Sequence, residues 1–226
     1  MEPNREEVIQ YFNERLDYYL GKPFKPEHNP RLKNMQTFLD FNGYNGNKIL
    51  DVGCGLGVLS KYFANRGGIV TAIDVAERLL EYAQEHNNHP NITYLNQDIT
   101  TYVSDEKFDY LVFCDVLEHL PKEQIFQILQ RITEHNAHKG SIVIMEVPNA
   151  AFTAAMQKYY PDELQIIDNG YKMDYLISVM DYYGFIPVRI GIFRGDTNVQ
   201  YDRYEFATKE QMDEYYHTEL SKIYGR

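Results

Sequence analysis

Residues 49–57 read ILDVGCGLG, an apolar run that closes on Asp51 and Val52 and then glycines at positions 53, 55 and 57. A short apolar run bounded by glycine reads as a buried strand. Glycines at alternate positions let the backbone turn tightly and approach a ligand with no Cβ in between. The next stretch, VLSKYFANR, reads as a helix beginning near Gly57. Its N-terminal N–H groups and partial positive charge therefore point at the same spot. The spacing is G-x-G-x-G, with Val58 where the dinucleotide fingerprint G-x-G-x-x-G places its third glycine.

Outward from that turn the chain alternates strand and helix. KILDV (48–52), IVTAID (69–74), NITYLNQD (91–98) and FDYLVFCD (108–115) read as strands, and AERLLEYAQEHNN (76–88) as a helix. Residues 122–138 form an amphipathic helix, with Ile125, Phe126, Ile128, Leu129 and Ile132 on its apolar face and Gly140 as its stop. SIVIMEVP (141–148) is a fifth strand ended by Pro148. This order implies an α/β fold with a doubly wound, mostly parallel sheet covered by helices on both faces. The last third is less regular. Residues 149–170 read as a long connection holding one helix, MDYLISVMDYYGF as a helix stopped by Gly184, and FIPVRIGIF with VQYDRYEF as a closing antiparallel pair. Ahead of the sheet, EEVIQYFNERLDYYL reads as one helix with Val8, Phe12, Leu16 and Tyr19 on one face, and RLKNMQTFLDF as a second. The expected organisation is a single domain over 1–226: a helical lid (1–46), a ligand-binding core (48–148), and an acceptor-side region with the closing strands (149–226).

Bulk properties narrow the function. The chain has 226 residues, enough for one full core, and a net charge of −11 with no Lys/Arg cluster, which argues against nucleic acid. No apolar stretch reaches the roughly 18 residues of a membrane span, and MEPNREEVIQ lacks a signal-peptide core, so a cytoplasmic protein is expected. Cys54 and Cys114 fit neither a disulfide scaffold nor a zinc site, and nothing calls for a metal. They read as small buried residues at the ends of neighbouring strands. The 20 tyrosines belong mostly to core and packing, although an exposed cluster would mark an aromatic acceptor site or a homodimer contact.

Several carboxylates fall at strand ends, where open parallel sheets bind ligands. Asp51 inside the glycine motif is awkward for a pyrophosphate and helpful for a ligand with an ammonium and a sulfonium. Asp74 ends the second strand 21 residues past Gly53, where an acid accepts bonds from ribose hydroxyls or caps the next helix. Asp98, in NQDI, is placed to meet an adenine amino group or to make a turn.

ILDVGCGLG, IVTAIDVAERLL, NQDI and FDYLVFCDVLEHL resemble, in order and spacing over residues 48–150, the successive motifs of class I S-adenosylmethionine-dependent methyltransferases. The resemblance implies a Rossmann-like seven-stranded sheet whose last strand is antiparallel. It implies that Asp51, Gly53, Cys54, Gly55 and Gly57 surround the methionine part of S-adenosylmethionine. Asp74, with Val75 beside it, would hold the ribose, Asp98 and Ile99 would meet adenine, and Cys114 and Asp115 would line the site. FKPEHNPRLKNM and LEHL resemble ubiquinone-biosynthesis O-methyltransferases more narrowly. There an arginine after Asn-Pro contacts the cofactor, a role that falls on Arg31, which otherwise reads as a surface arginine.

The implied reaction is methyl transfer to a small-molecule acceptor, with an oxygen nucleophile favoured over an amine or a peptide carboxylate. Alignment supplies most of the rate in such a displacement. If a base is needed, His119 is the candidate, because imidazole titrates near neutrality; otherwise it packs the EHLP turn, and Glu118 beside it reads as structural. Two readings lie outside the class: an NAD-dependent oxidoreductase, disfavoured by the glycine spacing and Asp51, and a non-catalytic binding subunit.

Overall fold

A strand covered on both faces must be apolar at nearly every position, and the runs at 48–52, 110–114 and 142–148 meet that condition. The computed structural model describes residues 3–21, 30–194 and 200–224. Its parallel strands are Lys48–Val52 (β1), Ile69–Asp74 (β2), Ile92–Asn96 (β3), Tyr110–Cys114 (β4) and Ile142–Pro148 (β5). Phe185–Arg194 (β6) and Gln200–Thr208 (β7) add an antiparallel pair, and the seven-stranded order is β3-β2-β1-β4-β5-β7-β6. Strand order reverses at β1, between β2 and β4. Val52 is level with Ile73 on one side and Phe113 on the other, so the three carboxyl ends emerge at one edge.

The helices are Arg5–Asn13 (α1), Leu16–Leu20 (α2), Pro30–Leu39 (α3), Val58–Ala64 (α4), Glu77–His86 (α5), Ile125–Asn136 (α6), Ala150–Tyr159 (α7), Met173–Tyr182 (α8) and Lys209–Tyr224 (α9). Successive strand residues face opposite sides. Leu50, Val52, Leu111 and Phe113 join α6 (Ile125, Ile128, Leu129, Ile132) and α8 (Leu176, Val179, Met180) in one layer. Ile49, Val70, Val112 and Ile144 join α3 (Met35, Leu39) and α4 (Tyr62, Phe63) in the other. No helix among the described residues is long and apolar enough to cross a membrane.

Four departures from the sequence reading have physical causes. The N-terminal helix is two: Arg15 N–H bonds the Phe12 carbonyl at 3.2 Å, a tight turn that separates α1 from α2. Arg15 then packs over the rings of Tyr11 and Tyr18, 4.2 and 4.8 Å from their centroids. The helix expected over 122–138 starts at Ile125 and stops at Asn136, whose side-chain amide is drawn away to the Ser104 and Glu106 carbonyls. Phe126 lies on the flank of that helix, not in its buried stripe; it is 39% exposed and packs at a tilt against Tyr182 and Tyr183. α9 was not anticipated, since its sequence is largely polar and it packs on β7 near its own start.

β5 and β7 carry an ion pair inside the core. Glu146 and Arg203 are cross-strand partners, both almost fully buried; Arg203 Nε donates to Glu146, and its Nη1 donates to Asn34 Oδ1 of α3 at 2.7 Å. Removing one member of such a pair strands a buried charge, whereas replacing both with apolar groups removes the desolvation cost as well. Arg203→Met or Glu146→Met alone is expected to lower the stability measured by urea unfolding by about 3–5 kcal/mol, and the double variant to recover most of it.

Candidate functional site

The carboxyl ends of β1, β2 and β4 open into a cavity of about 360 Å³, roofed by Val8 and Phe12 of α1 and Tyr18 and Tyr19 of α2. The glycine turn forms its floor. Gly53, Gly55 and Gly57 all have positive φ (65°, 51° and 74°), the region that side chains disfavour. A Cβ on Gly53 would stand 2.3 Å from Val116 and one on Gly57 2.3 Å from the Tyr94 hydroxyl, whereas one on Gly55 would meet nothing within 4 Å. The outer two glycines therefore serve packing within the protein. The middle one leaves backbone bare toward the cavity.

Asp74 locks this turn to the end of β2. One carboxylate oxygen accepts the Gly55 N–H at 2.8 Å, and the other accepts the Ala76 N–H at 2.8 Å. Burial pushes its carboxyl up, and the bonds from Ala76 and Gly55 oppose that. The bond to Ala76 falls just ahead of α5, so Asp74 serves the entry to the helix as well as the cavity wall, and each oxygen retains a lone pair for a ligand.

The other residues singled out in the sequence fall in different places. Val75, Ile99, Cys54, Cys114 and Asp115 line the cavity with the loop. Asp115 holds a φ of 55°, unusual for a side-chain-bearing residue, while its N–H bonds the Glu146 carbonyl at 3.0 Å. Both cysteines are packed against the layer under β1 and β4, and burial pushes the Cys54 thiol well up. Asp51 is not on the cavity wall. It is 2% exposed behind the turn and accepts the Ser60 hydroxyl of α4 at 2.6 Å; burial pushes its carboxyl up to about 7. Gly57 likewise turns away from the cavity, toward Tyr94 and Ala83 of α5. Asp98 also stands off the wall, between the lining residues Gln97 and Ile99, paired with Arg5 of α1 and accepting the Thr100 N–H at 2.8 Å. Burial would raise its carboxyl, but Arg5 and Thr100 outweigh burial and hold it below the usual range. Arg31 lies on α3, and its side chain is outside the described residues.

His119 sits in a short 3₁₀ turn, Leu117–His119, just past β4. Its Nδ1 donates to the Ile167 carbonyl at 2.7 Å, and its Nε2 receives the Gln165 side-chain amide at 3.2 Å. The Phe12 ring lies 5.5 Å away. Arg5, Phe12, Tyr19, Gln165 and Asp168 are wall residues that were not read from the sequence. The apolar stripe containing Phe12 and Tyr19 was visible and was expected to sit over the mouth of the sheet, but the sequence did not single out those two side chains as wall residues. Asp74, Asp115, Glu118 and Asp168 make the wall acidic, and Arg5 is the only Lys or Arg among its described residues. Such a cavity favours a cationic ligand.

Residues 49–140 match a family described as methyltransferase domain. A ubiquinone biosynthesis O-methyltransferase of Coxiella burnetii is 36% identical over 129 residues, covering 54% of this chain and 53% of that protein. One of the same description from Glaesserella parasuis is 41% identical over 109 residues, covering 43% and 45%. The chain thus spans about half the length of the curated relatives it matches. A magnesium protoporphyrin IX methyltransferase from Synechocystis, solved with bound SAM, superposes with TM-score 0.67 at 19% identity over 92% of this chain and 98% of its own. The N-methyltransferase NodS of Bradyrhizobium japonicum, solved with S-adenosyl-L-homocysteine, superposes with TM-score 0.68 at 18% identity over 88% and 98%. These likenesses extend the Rossmann-like class I methyltransferase fold beyond the matched domain to the closing antiparallel strands.

Asp51 gives the protein a built-in pH dependence. Its carboxyl titrates near 3.9 when unfolded and near about 7 when folded, so the folded state prefers it protonated. That contribution is complete below the unfolded value and lost as pH rises through the folded one. Asp51→Asn, which keeps a neutral side chain at every pH, is expected to gain stability relative to wild type between pH 4 and 8. The gain should be at most about 4 kcal/mol, read as urea midpoints across that range.

Proposed function

We propose that this protein transfers a methyl group from S-adenosylmethionine to a small-molecule oxygen nucleophile. The observation that carries the reading is the bond from Gly55 N–H to Asp74, which makes the bare turn and the acid one continuous wall of an acidic cavity. The residues present suit that cofactor. Gly55 leaves room for close approach, Asp74 has lone pairs for two ribose hydroxyls, Val75, Leu79 and Ile99 offer an apolar wall for a flat base, and Asp115 and Glu118 complement positive charge. The cofactor supplies an activated methyl on a good leaving group. The chain's own work is to align the acceptor, exclude water and accept a proton.

In this reading α1 and α2 are the lid over the cavity, and the region after β5 faces the acceptor. Val8, Phe12 and Tyr19 keep water from the reacting atoms, and His119 Nε2 takes the proton of the acceptor hydroxyl. Support for an oxygen acceptor comes from the curated relatives described as O-methyltransferases. The likeness to NodS is one of fold and adds nothing for an amine. An acidic peptide would be repelled by the carboxylates on the wall.

Calorimetric titration with S-adenosylmethionine, S-adenosylhomocysteine and NAD tests the cofactor. Saturable binding of the first two is expected, weakened at least about tenfold in Asp74→Ala, which removes two charge-assisted bonds to the backbone. His119→Ala should retain that binding and lose about 100-fold in turnover of a phenolic acceptor. Binding of NAD alone would overturn the reading.

A further inference from the structure

The connection between α7 and α8 has no regular structure beyond one 3₁₀ turn, yet it is stitched to the His119 turn at several points. Asn169 N–H bonds the Glu118 carbonyl at 2.9 Å, and its side-chain amide bonds the Leu120 carbonyl at 2.8 Å. Ile167 supplies the carbonyl for His119 Nδ1. Asp168 places Oδ1 3.4 Å from the same Nδ1, while its Oδ2 accepts the Gln165 N–H at 2.7 Å. Gln165 donates its side-chain amide to Nε2 at 3.2 Å and accepts the Tyr19 hydroxyl of α2 at 3.5 Å. One segment therefore addresses both ring nitrogens.

The two sides of the ring are not equivalent. With Nδ1–H donating to a carbonyl, the proton is on Nδ1 and the lone pair is on Nε2. Gln165 N–H occupies that lone pair in the way an acceptor O–H would. The Asp168 carboxylate lies behind Nδ1, where positive charge appears once Nε2 is protonated. The other titratable groups near this ring are Glu118, with Oε1 3.7 Å from Nε2, Tyr19 behind Gln165, and Tyr11, whose hydroxyl is coupled to Asp168 and whose ring lies under Arg15.

We propose that Asp168 is a positioning residue for His119, holding the ring with Nε2 toward the cavity and stabilising the imidazolium, and that Gln165 keeps Nε2 covered until an acceptor hydroxyl displaces it. This rests on the methyl-transfer reading above. The acceptor O–H bond breaks and its proton goes to Nε2. The oxygen electron pair forms the O–CH₃ bond as the S–CH₃ pair stays on sulfur, and the imidazolium later releases the proton to water.

The test uses the full chain labelled at histidine nitrogen. Wild-type His119 is expected to show the Nδ1–H tautomer by nitrogen NMR at a pH where the ring is neutral, and the opposite tautomer would overturn the proposal whatever the variants do. In Asp168→Asn, whose side-chain oxygen can still accept the Gln165 N–H, the imidazole signals should reach their protonated position about one pH unit lower than in wild type. The acid limb of the kcat/KM profile should move the same way, kcat should fall about 10- to 100-fold with KM little changed, and Asp168→Glu should restore the wild-type limb. A variant that binds S-adenosylmethionine normally but moves neither the signals nor the limb overturns the positioning role while leaving the methyltransferase reading intact. Failure of the wild type to bind S-adenosylmethionine overturns the latter, and the NMR comparison still decides the former.

Discussion

Two hydrogen bonds to Asp74 join the loop after β1 to the loop after β2, and the rest of the cavity depends on that junction. A turn of three glycines is free to adopt many conformations, and freedom of that kind is lost on folding at considerable entropic cost. Fixing the central N–H on the half-buried carboxylate of Asp74 selects one conformation. The outer glycines are held by contacts from opposite sides, Val116 beside Gly53 and Tyr94 beside Gly57. The turn is thus defined by β2, by the end of β4 and by β3 together, so its shape is a property of the whole sheet.

The same site concentrates negative charge. Burial raises the carboxyls of both Asp51 and Asp74, and the charge of Asp74 raises that of Asp51 further. The fold meets this cost with donors: a hydroxyl from α4 for Asp51, and backbone N–H groups for Asp74. Desolvated carboxylates held by fixed donors are a preorganised environment for positive charge. The proposed cofactor would relieve the repulsion on binding, which gives affinity without an ion pair made for that purpose.

α1 is anchored by long-range polar contacts as well as by its apolar face. Arg5 pairs with Asp98 past β3, Asn13 accepts from Arg78 at the start of α5, and Phe12 approaches His119. Asp98, a residue at a strand end where a ligand contact was expected, is thereby engaged in holding α1 across the cavity. The break between α1 and α2 serves the same geometry, since it lets Phe12 and Tyr19 both reach the cavity.

The parallel strands and the place of the glycine turn were legible in the sequence because each depends on local physics. Apolar runs must be buried on both faces, glycine tolerates positive φ, and Gly184 with φ of 83° ended its helix as read. The antiparallel closing pair could be read for the same reason. What could not be read is every feature decided by residues far apart in the chain. Nothing in the order of residues says that Asp51 turns to Ser60 and away from the cavity, that Arg5 claims Asp98 93 positions away, or that Asp168 comes to lie behind His119. Carboxylates at strand ends look alike in sequence; the direction of each side chain, and the donor that meets it, is set only when helices and connections pack over the sheet.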